Sequence, residues 1–267
     1  MAALTYRRHH ASIRSSSPVQ EHVTIMIANR LRDKAAIVTG ASRGIGRAVA
    51  LALAAEGARL LLAARSSTDL QAVCAECEAL GAQTWATPAD VAIEEQVQAL
   101  AAAAREHLGR VEVLVNCAGI GVFGPVLETS AADWDRVMAV NARGPFLVCR
   151  DLVPLMETGA CIVNVGSVVS VKGYVNQGAY SASKHALLGF TKVLAQELQP
   201  RGIRVHALCP GGVRTDLITR ARPDLDTSDL MTPDEVAELA LFLITQRGRA
   251  IVDQLNVRRA NSAPWFS

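Results

Sequence analysis

A chain of 267 residues, half of them apolar, is long enough for one large α/β domain or two small ones and too apolar for intrinsic disorder. Its net charge of +2 gives no bulk electrostatic reason for a nucleic-acid partner. No apolar run nears the roughly 20 residues that cross a bilayer, since ALALAAEGARLLLAA is interrupted by Glu56, Gly57 and Arg59, so a soluble protein without a membrane partner is expected.

Residues 1–30 differ in composition from the rest of the chain. MAALTYRRHHASIRSSSPVQ holds three arginines, two histidines, several serines and no acid, and it lacks a sustained apolar period. This segment reads as a disordered or non-native extension. Non-native here means upstream sequence ahead of a true start at Met26, and an Arg/Ser-rich targeting peptide is the alternative. Residues 31–267 read as a single domain without an internal linker.

From Leu31 short apolar runs alternate with helical patterns. Strands are predicted at 35–40, 59–64, 84–89, 111–116, 161–167, 204–209 and 251–257, and helices starting near Gly44, Thr68, Ile93, Ala131, Gln177 and Pro233. The early strands are continuously apolar, which implies burial on both faces and a parallel sheet covered by helices. The alternation predicts a doubly wound, Rossmann-type α/β fold of about seven strands, with its ligand site at the carboxyl ends of the strands.

Three stretches carry chemistry. TGASRGIG, from Thr39 to Gly46, joins the first strand to the first helix. There Gly40 permits a tight turn, Gly44 lets backbone approach a phosphate, and Gly46 lets helix and strand pack closely; the helix N-terminus presents N–H groups to an anion. NCAG, from Asn116 to Gly119, would let a cofactor lie flat against small residues at the end of the fourth strand. Tyr180 and Lys184 stand four apart in AYSASKHALLGF, on one helix face, with Ser167 thirteen positions upstream. Six scattered cysteines include Cys74 and Cys77 in a C-x-x-C. With no second pair to complete a metal site, they read as reduced packing or surface thiols in a reducing, cytoplasmic compartment, and no metal is expected.

The order TGxxxGIG, NxAG, Ser167, YxxxK and PGGVRT resembles the short-chain dehydrogenase/reductase family in its compact form, over roughly Leu31 to Thr245, and YSASKHALLGFTK is especially similar to 3-oxoacyl reductases. The resemblance implies hydride transfer between NADP(H), with NAD as the alternative, and a small carbonyl or secondary alcohol. It casts Tyr180 as acid/base, Lys184 as its partner and the holder of the coenzyme ribose, and Ser167 as hydrogen-bond donor to the substrate oxygen. Asn141 matches the family's helix asparagine of a proton relay. A phenol titrates ordinarily near ~10, and a neighbouring ammonium and the nicotinamide ring are expected to pull it down. Coenzyme contacts carried over are Gly40, Ser42, Arg43, Gly44, Ile45 and Gly46 in the first turn, Asp90 and Val91 after the third strand, and Asn116, Ala118 and Gly119 after the fourth. Tyr180, Lys184, Pro210, Gly211, Val213 and Thr215 complete the set.

The second strand ends LLLAARSS, without the acid that would bind a ribose 2′-hydroxyl, and Arg65 and Arg43 converge there, which favours NADP. The chain departs from the family at its end, IVDQLNVRRANSAPWFS, where Asp-Gly-Gly is usual. Arg201 matches a basic position of carrier-protein reductases, but METGA lacks their second basic residue, so an acyl-carrier substrate is not favoured. The resemblance implies a homodimer or homotetramer. Its rivals are an NAD-dependent alcohol or sterol dehydrogenase and a non-catalytic NADP-binding sensor.

Overall fold

The computed structural model describes residues 29–221 and 226–263. The expected N-terminal extension therefore lies, up to residue 28, outside the described residues. Arg30 joins the domain through Glu56, which accepts from its Nη2 at 2.6 Å, and through Thr245 Oγ1 at 3.1 Å.

Seven parallel strands form one sheet in the order β3-β2-β1-β4-β5-β6-β7. They are β1 (Ala35–Thr39), β2 (Arg59–Ala64), β3 (Thr84–Pro88), β4 (Val111–Asn116), β5 (Met156–Val165), β6 (Arg204–Pro210) and β7 (Gln254–Val257). The connections are α1 (Gly44–Ala55), α2 (Ser67–Ala79), α3 (Glu94–His107), α4 (Ala131–Met138), α5 (Gly144–Leu152), α6 (Gly178–Leu198), α7 (Asp216–Ala221) and α8 (Pro233–Thr245).

The unbroken apolar strands divide by the period-two rule of extended chain. Ala36 and Val38 of β1 pack with α1, α2 and α8 through Val49, Leu53, Leu70 and Leu243, while Ala35 and Ile37 pack on the other face with Val97, Leu100, Leu147 and Leu194. Two cores result, one on each side of the sheet. Cys74 and Cys77 lie inside the first of these, and burial pushes the Cys77 thiol up to about 12. Packing is their role.

Helix starts follow their caps. Ser66 accepts from Asp69 N at 3.3 Å to open α2, and Thr232 with Glu235 forms a reciprocal capping box ahead of Pro233 at α8.

Some elements differ from the sequence reading. β5 begins at Met156, five residues early, because Val111 pairs with Met156 across an irregularity in the β4–β5 register. β7 shrinks to Gln254–Val257, the stretch paired with Ala207–Pro210. The helix begun at Ala131 widens into a π turn over Ala139–Arg143. Pro145 is the cause we assign, since it has no N–H to donate four residues back to the carbonyl of Asn141. The short helix α7 has too few turns for a period to show in the sequence.

Candidate active site

All strands end at one edge of the sheet, and that edge holds a cleft of about 1060 Å³. A dinucleotide and a small substrate fit such a volume.

The first wall is the β1–α1 turn. Gly40 has φ +67°, and a Cβ there would stand 2.7 Å from the Ala118 backbone, so only glycine lets the turn meet the NCAG segment. A Cβ on Gly46 would sit 2.2 Å from the carbonyl oxygen of Gly40, which explains the close packing of helix on turn. Thr39 Oγ1 ties the two strand ends together, accepting from Cys117 N at 3.2 Å and Ala118 N at 3.3 Å. The N-cap of α1, Arg43, makes no side-chain cap bond, so the first N–H groups of this helix face the cleft with the positive end of its dipole. A cradle that added Cβ atoms would fill, backed by a helix N-terminus, suits a pyrophosphate.

Ser42, Arg43, Gly44, Ile45, Arg65, Asp90, Val91, Gly119, Pro210, Gly211, Val213 and Thr215 line the same cleft, with Gly40, Gly46 and Ala118. Asn116 does not. It is buried, and its Nδ2 donates to Asn164 Oδ1 at 2.9 Å and to Cys149 Sγ at 3.3 Å, linking β4 to β5 and α5. Asn164 in turn donates to Thr191 of α6 at 2.9 Å.

At the other end stand Ser167, Tyr180 and Lys184. Ser167 stands two residues beyond β5 and is held by a reciprocal pair: its Oγ accepts from Val169 N at 3.3 Å and its N–H donates to Ser170 Oγ at 3.1 Å. Tyr180 and Lys184 project from one face of α6, as their spacing requires. The Lys184 ammonium donates to the Val165 carbonyl at 2.9 Å and lies 5.8 Å from the Tyr180 ring centroid. The Phe123 ring covers Tyr180 at 5.5 Å between centroids.

Asn141 sits in the π turn, wholly buried and outside the cleft lining. Its Oδ1 accepts from Ile120 N at 2.9 Å, and its Nδ2 donates to Ile120 O at 2.8 Å and Ser183 Oγ at 3.0 Å. Ser183 donates to the carbonyl of Tyr180 at 2.7 Å, so Asn141 steadies the turn of α6 that carries the phenol.

Electrostatics at this end differ from expectation. Burial pushes the Tyr180 phenol up to about 12, and the Ser167 hydroxyl beside it acts in the opposite direction. Burial also draws the Lys184 ammonium down to about 8. Burial is the largest influence on both groups, raising the phenol and lowering the ammonium. A phenol held protonated across the neutral range is a proton donor.

Sequence reasoning missed several residues of the lining: Ser66 and Asp69 at the start of α2, Arg136 on α4, Gln177 before α6, and Arg258, Arg259, Ser262 and Ala263 after β7. At the coenzyme end Arg43 meets Asp216 at 3.5 Å, both well exposed. Arg201, instead of offering its charge to a partner, donates to Val153 O at 3.2 Å and Met156 O at 2.8 Å. No group of three or more His, Cys, Asp or Glu residues among the described residues could hold a metal. No described helix is long and apolar enough to cross a membrane.

Comparison with known proteins agrees with this geometry. The short chain dehydrogenase family model matches residues 34–226. A 3-oxoacyl-[acyl-carrier-protein] reductase of Synechocystis is 39% identical over 230 residues, covering 83% of this chain and 93% of that one. A dehydrogenase/reductase from Sinorhizobium meliloti superposes with a TM-score of 0.81 at 36% identity, over 90% of this chain and 100% of the other. A short chain dehydrogenase from Burkholderia cenocepacia, solved in complex with NADP, gives a TM-score of 0.79 at 34% identity, over 86% and 98% of the two chains. The chain belongs to the short-chain dehydrogenase/reductase family and is an NAD(P)-dependent oxidoreductase.

Proposed function

We propose that the protein interconverts a carbonyl and a secondary alcohol with NADP(H), Tyr180 serving as the general acid and base. The observation that carries this reading is the meeting, in one cleft, of the Gly40–Gly46 cradle with Ser167, Tyr180 and Lys184. The coenzyme, when bound, supplies or accepts the hydride. The chain's own groups manage the oxygen. Ser167 Oγ, which accepts from Val169 N while Ser170 Oγ holds the Ser167 backbone N–H, donates to the carbonyl oxygen and polarises it. Tyr180, protonated at neutral pH, gives its proton to the alkoxide oxygen as charge develops there. Lys184, which donates to the Val165 carbonyl at the end of β5, would hold the ribose hydroxyls and stabilise the phenolate that remains. Asn141 acts as a positioning residue through Ile120 and Ser183.

Arg65 at the end of β2, and the lack of an acid at that strand's end, support NADP as the coenzyme, as does the NADP held by the Burkholderia relative. Asp69 in the same lining and the pairing of Arg43 with Asp216 favour NAD as the second reading. A small carbonyl suits the cleft better than an acyl carrier, because Arg201 is engaged by backbone carbonyls. Six unbridged cysteines fit a reducing, cytoplasmic setting. Exposed Phe146 and Val193, on α5 and α6, support assembly into a homodimer or homotetramer through those helices.

Replacing Tyr180 with Phe keeps the ring against Phe123 and removes the proton. Turnover of a small ketone or diketone with NADPH should fall ~10²-fold or more while coenzyme still binds. Near-normal turnover would overturn the assignment.

A further inference from the structure

Among the described residues, the charged groups that line the substrate end of the cleft are all basic. The carboxylates in the lining are Asp69, Asp90 and Asp216, which belong to the turns after β2 and β3 and to the start of α7 beside Arg43. Around the other end stand Arg136, Lys172, Arg258 and Arg259. Arg136 is engaged by Asp133 at 2.8 Å, and the Lys172 ammonium lies 4.7 Å from the Tyr174 ring centroid. Arg259 has no carboxylate within ion-pair distance among the described residues.

Arg259 is also presented by a built turn. β7 runs parallel to β6, so its carboxyl end arrives at the same edge as every other strand, and the two arginines follow it directly. The carbonyl oxygen of Arg259 accepts three bonds: from Arg258 Nη1 at 3.0 Å, Ser262 N at 3.1 Å and Ser262 Oγ at 2.9 Å. Arg258 Nη1 further donates to the carbonyls of Ala260 and Ser262, at 3.1 and 2.7 Å. Arg258 is thus the clamp of the turn, and Arg259 the side chain it displays.

The stem of Arg259 lies beside the turn that follows β6. A Cβ on Gly212 would lie 3.6 Å from Arg259 Cδ and 3.9 Å from its Nε, beside Leu230. A Cβ on the preceding Gly211 would lie 3.7 Å from Val168 Cγ1 and 3.8 Å from Arg258 Cα, and Val168 follows Ser167. The arginine stem therefore crosses backbone one residue removed from the segment that touches the serine loop. The two glycines keep that passage open.

Resting on the carbonyl–alcohol reading of the site, we propose that Arg259 determines specificity and that the substrate is a short carbonyl compound bearing a carboxylate. The planar guanidinium takes a carboxylate through two parallel bonds, which fixes the far end of an oxo acid and leaves its carbonyl for Ser167 and Tyr180. The β7–tail segment, where this chain departs from its family's usual ending, thereby becomes part of the substrate site.

The test is calorimetric titration of the NADP⁺-loaded protein with acetoacetate, levulinate and the methyl ester of each; oxidised coenzyme has no hydride to give, so binding alone is read. At least one acid should bind ~10-fold or more tightly than its ester, as a charge-assisted bidentate pair requires. Arg259→Gln should bring acid and ester within about twofold and leave the ester unchanged, and Arg259→Lys should keep part of the preference because the charge remains. Acids and esters binding alike in the parent, no acid binding at all, or equal weakening of both by the Gln variant would each overturn the proposal. NADP⁺ affinity alone, and NADPH oxidation with a neutral diketone, report separately on the underlying site. If these are intact and the acid preference is missing, only the role of Arg259 fails.

Discussion

Lys184 is charged, 5% exposed and set at the floor of the cleft near Cys117 and Cys209, and that combination has a thermodynamic signature. Its pKa falls from 10.5 to about 8 on folding. At pH 7 the displacement corresponds to about 3 kcal/mol of lost stability, since each pH unit is worth about 1.4 kcal/mol. Replacing Lys184 with Met keeps the unbranched stem and removes the buried charge. The Val165 carbonyl, which now accepts from Nζ at 2.9 Å, loses that partner, at a cost of roughly 1–2 kcal/mol. The variant should be inactive yet more stable by about 1–2 kcal/mol, a rise in Tm of ~2–4 °C for a domain of this size. The pH dependence gives the sharper check. A base with a depressed folded pKa carries its full cost below about 8, where both states are protonated; the cost fades between about 8 and 10.5, where the unfolded chain binds more protons. At pH 9.5 little more than ~1 kcal/mol remains, and the advantage of the Met variant should vanish. Differential scanning calorimetry of both proteins at pH 7 and 9.5 measures this. A lower Tm for the variant at pH 7, or the same difference at both pH values, would refute the argument.

Arg65→Ala should lower kcat/KM with NADPH by ~10-fold or more and leave NADH nearly unchanged, because a 2′-phosphate contact alone is lost; an equal fall with both coenzymes would make Arg65 structural. A chain starting at Met26 keeps Arg30 and its bonds to Glu56 and Thr245, and should melt within about a degree of the full chain and retain its activity; a drop of several degrees would show that the removed residues pack on the domain. Light scattering at micromolar concentration should find a dimer or tetramer, given exposed Phe146 and Val193 on neighbouring helices, and monomer alone would count against that assembly.

How legible the molecule was in its sequence depended on the range of the interactions concerned. β1, β2 and β4 were readable because burial on both faces demands an unbroken apolar run, and their registers then follow from pairing like with like. The glycine turn was readable because Gly40 and Gly46 leave no room for a side chain, a constraint local enough to appear as spacing. Where the sequence signal is weak, the reading slipped. METGA lies ahead of the strand predicted at 161–167, yet Met156 is recruited into β5 by Val111 on another strand. Asn116 ends a strand at the ligand edge and so reads as a coenzyme contact, but its amide is turned inward by Asn164 and Cys149, partners that lie 48 and 33 residues away.

The upward pull of burial on the phenol was not legible for a related reason. A charge four residues along a helix is visible in sequence, whereas the depth of the recess in which both groups sit is set by packing from several elements, and here depth prevails. The arginines after β7 were missed despite a rule that reaches them. In a parallel sheet each strand delivers the residues just beyond its carboxyl end to the ligand edge, whichever strand it is. Applied to β1, β3 and β4, the rule finds Gly40, Asp90 and Ala118; applied to β5 and β6, it finds Ser167 and Gly211. The same step beyond Val257 arrives at Arg258 and Arg259. β7 is the strand whose ending departs from the family's, and the two arginines that follow it line the cleft.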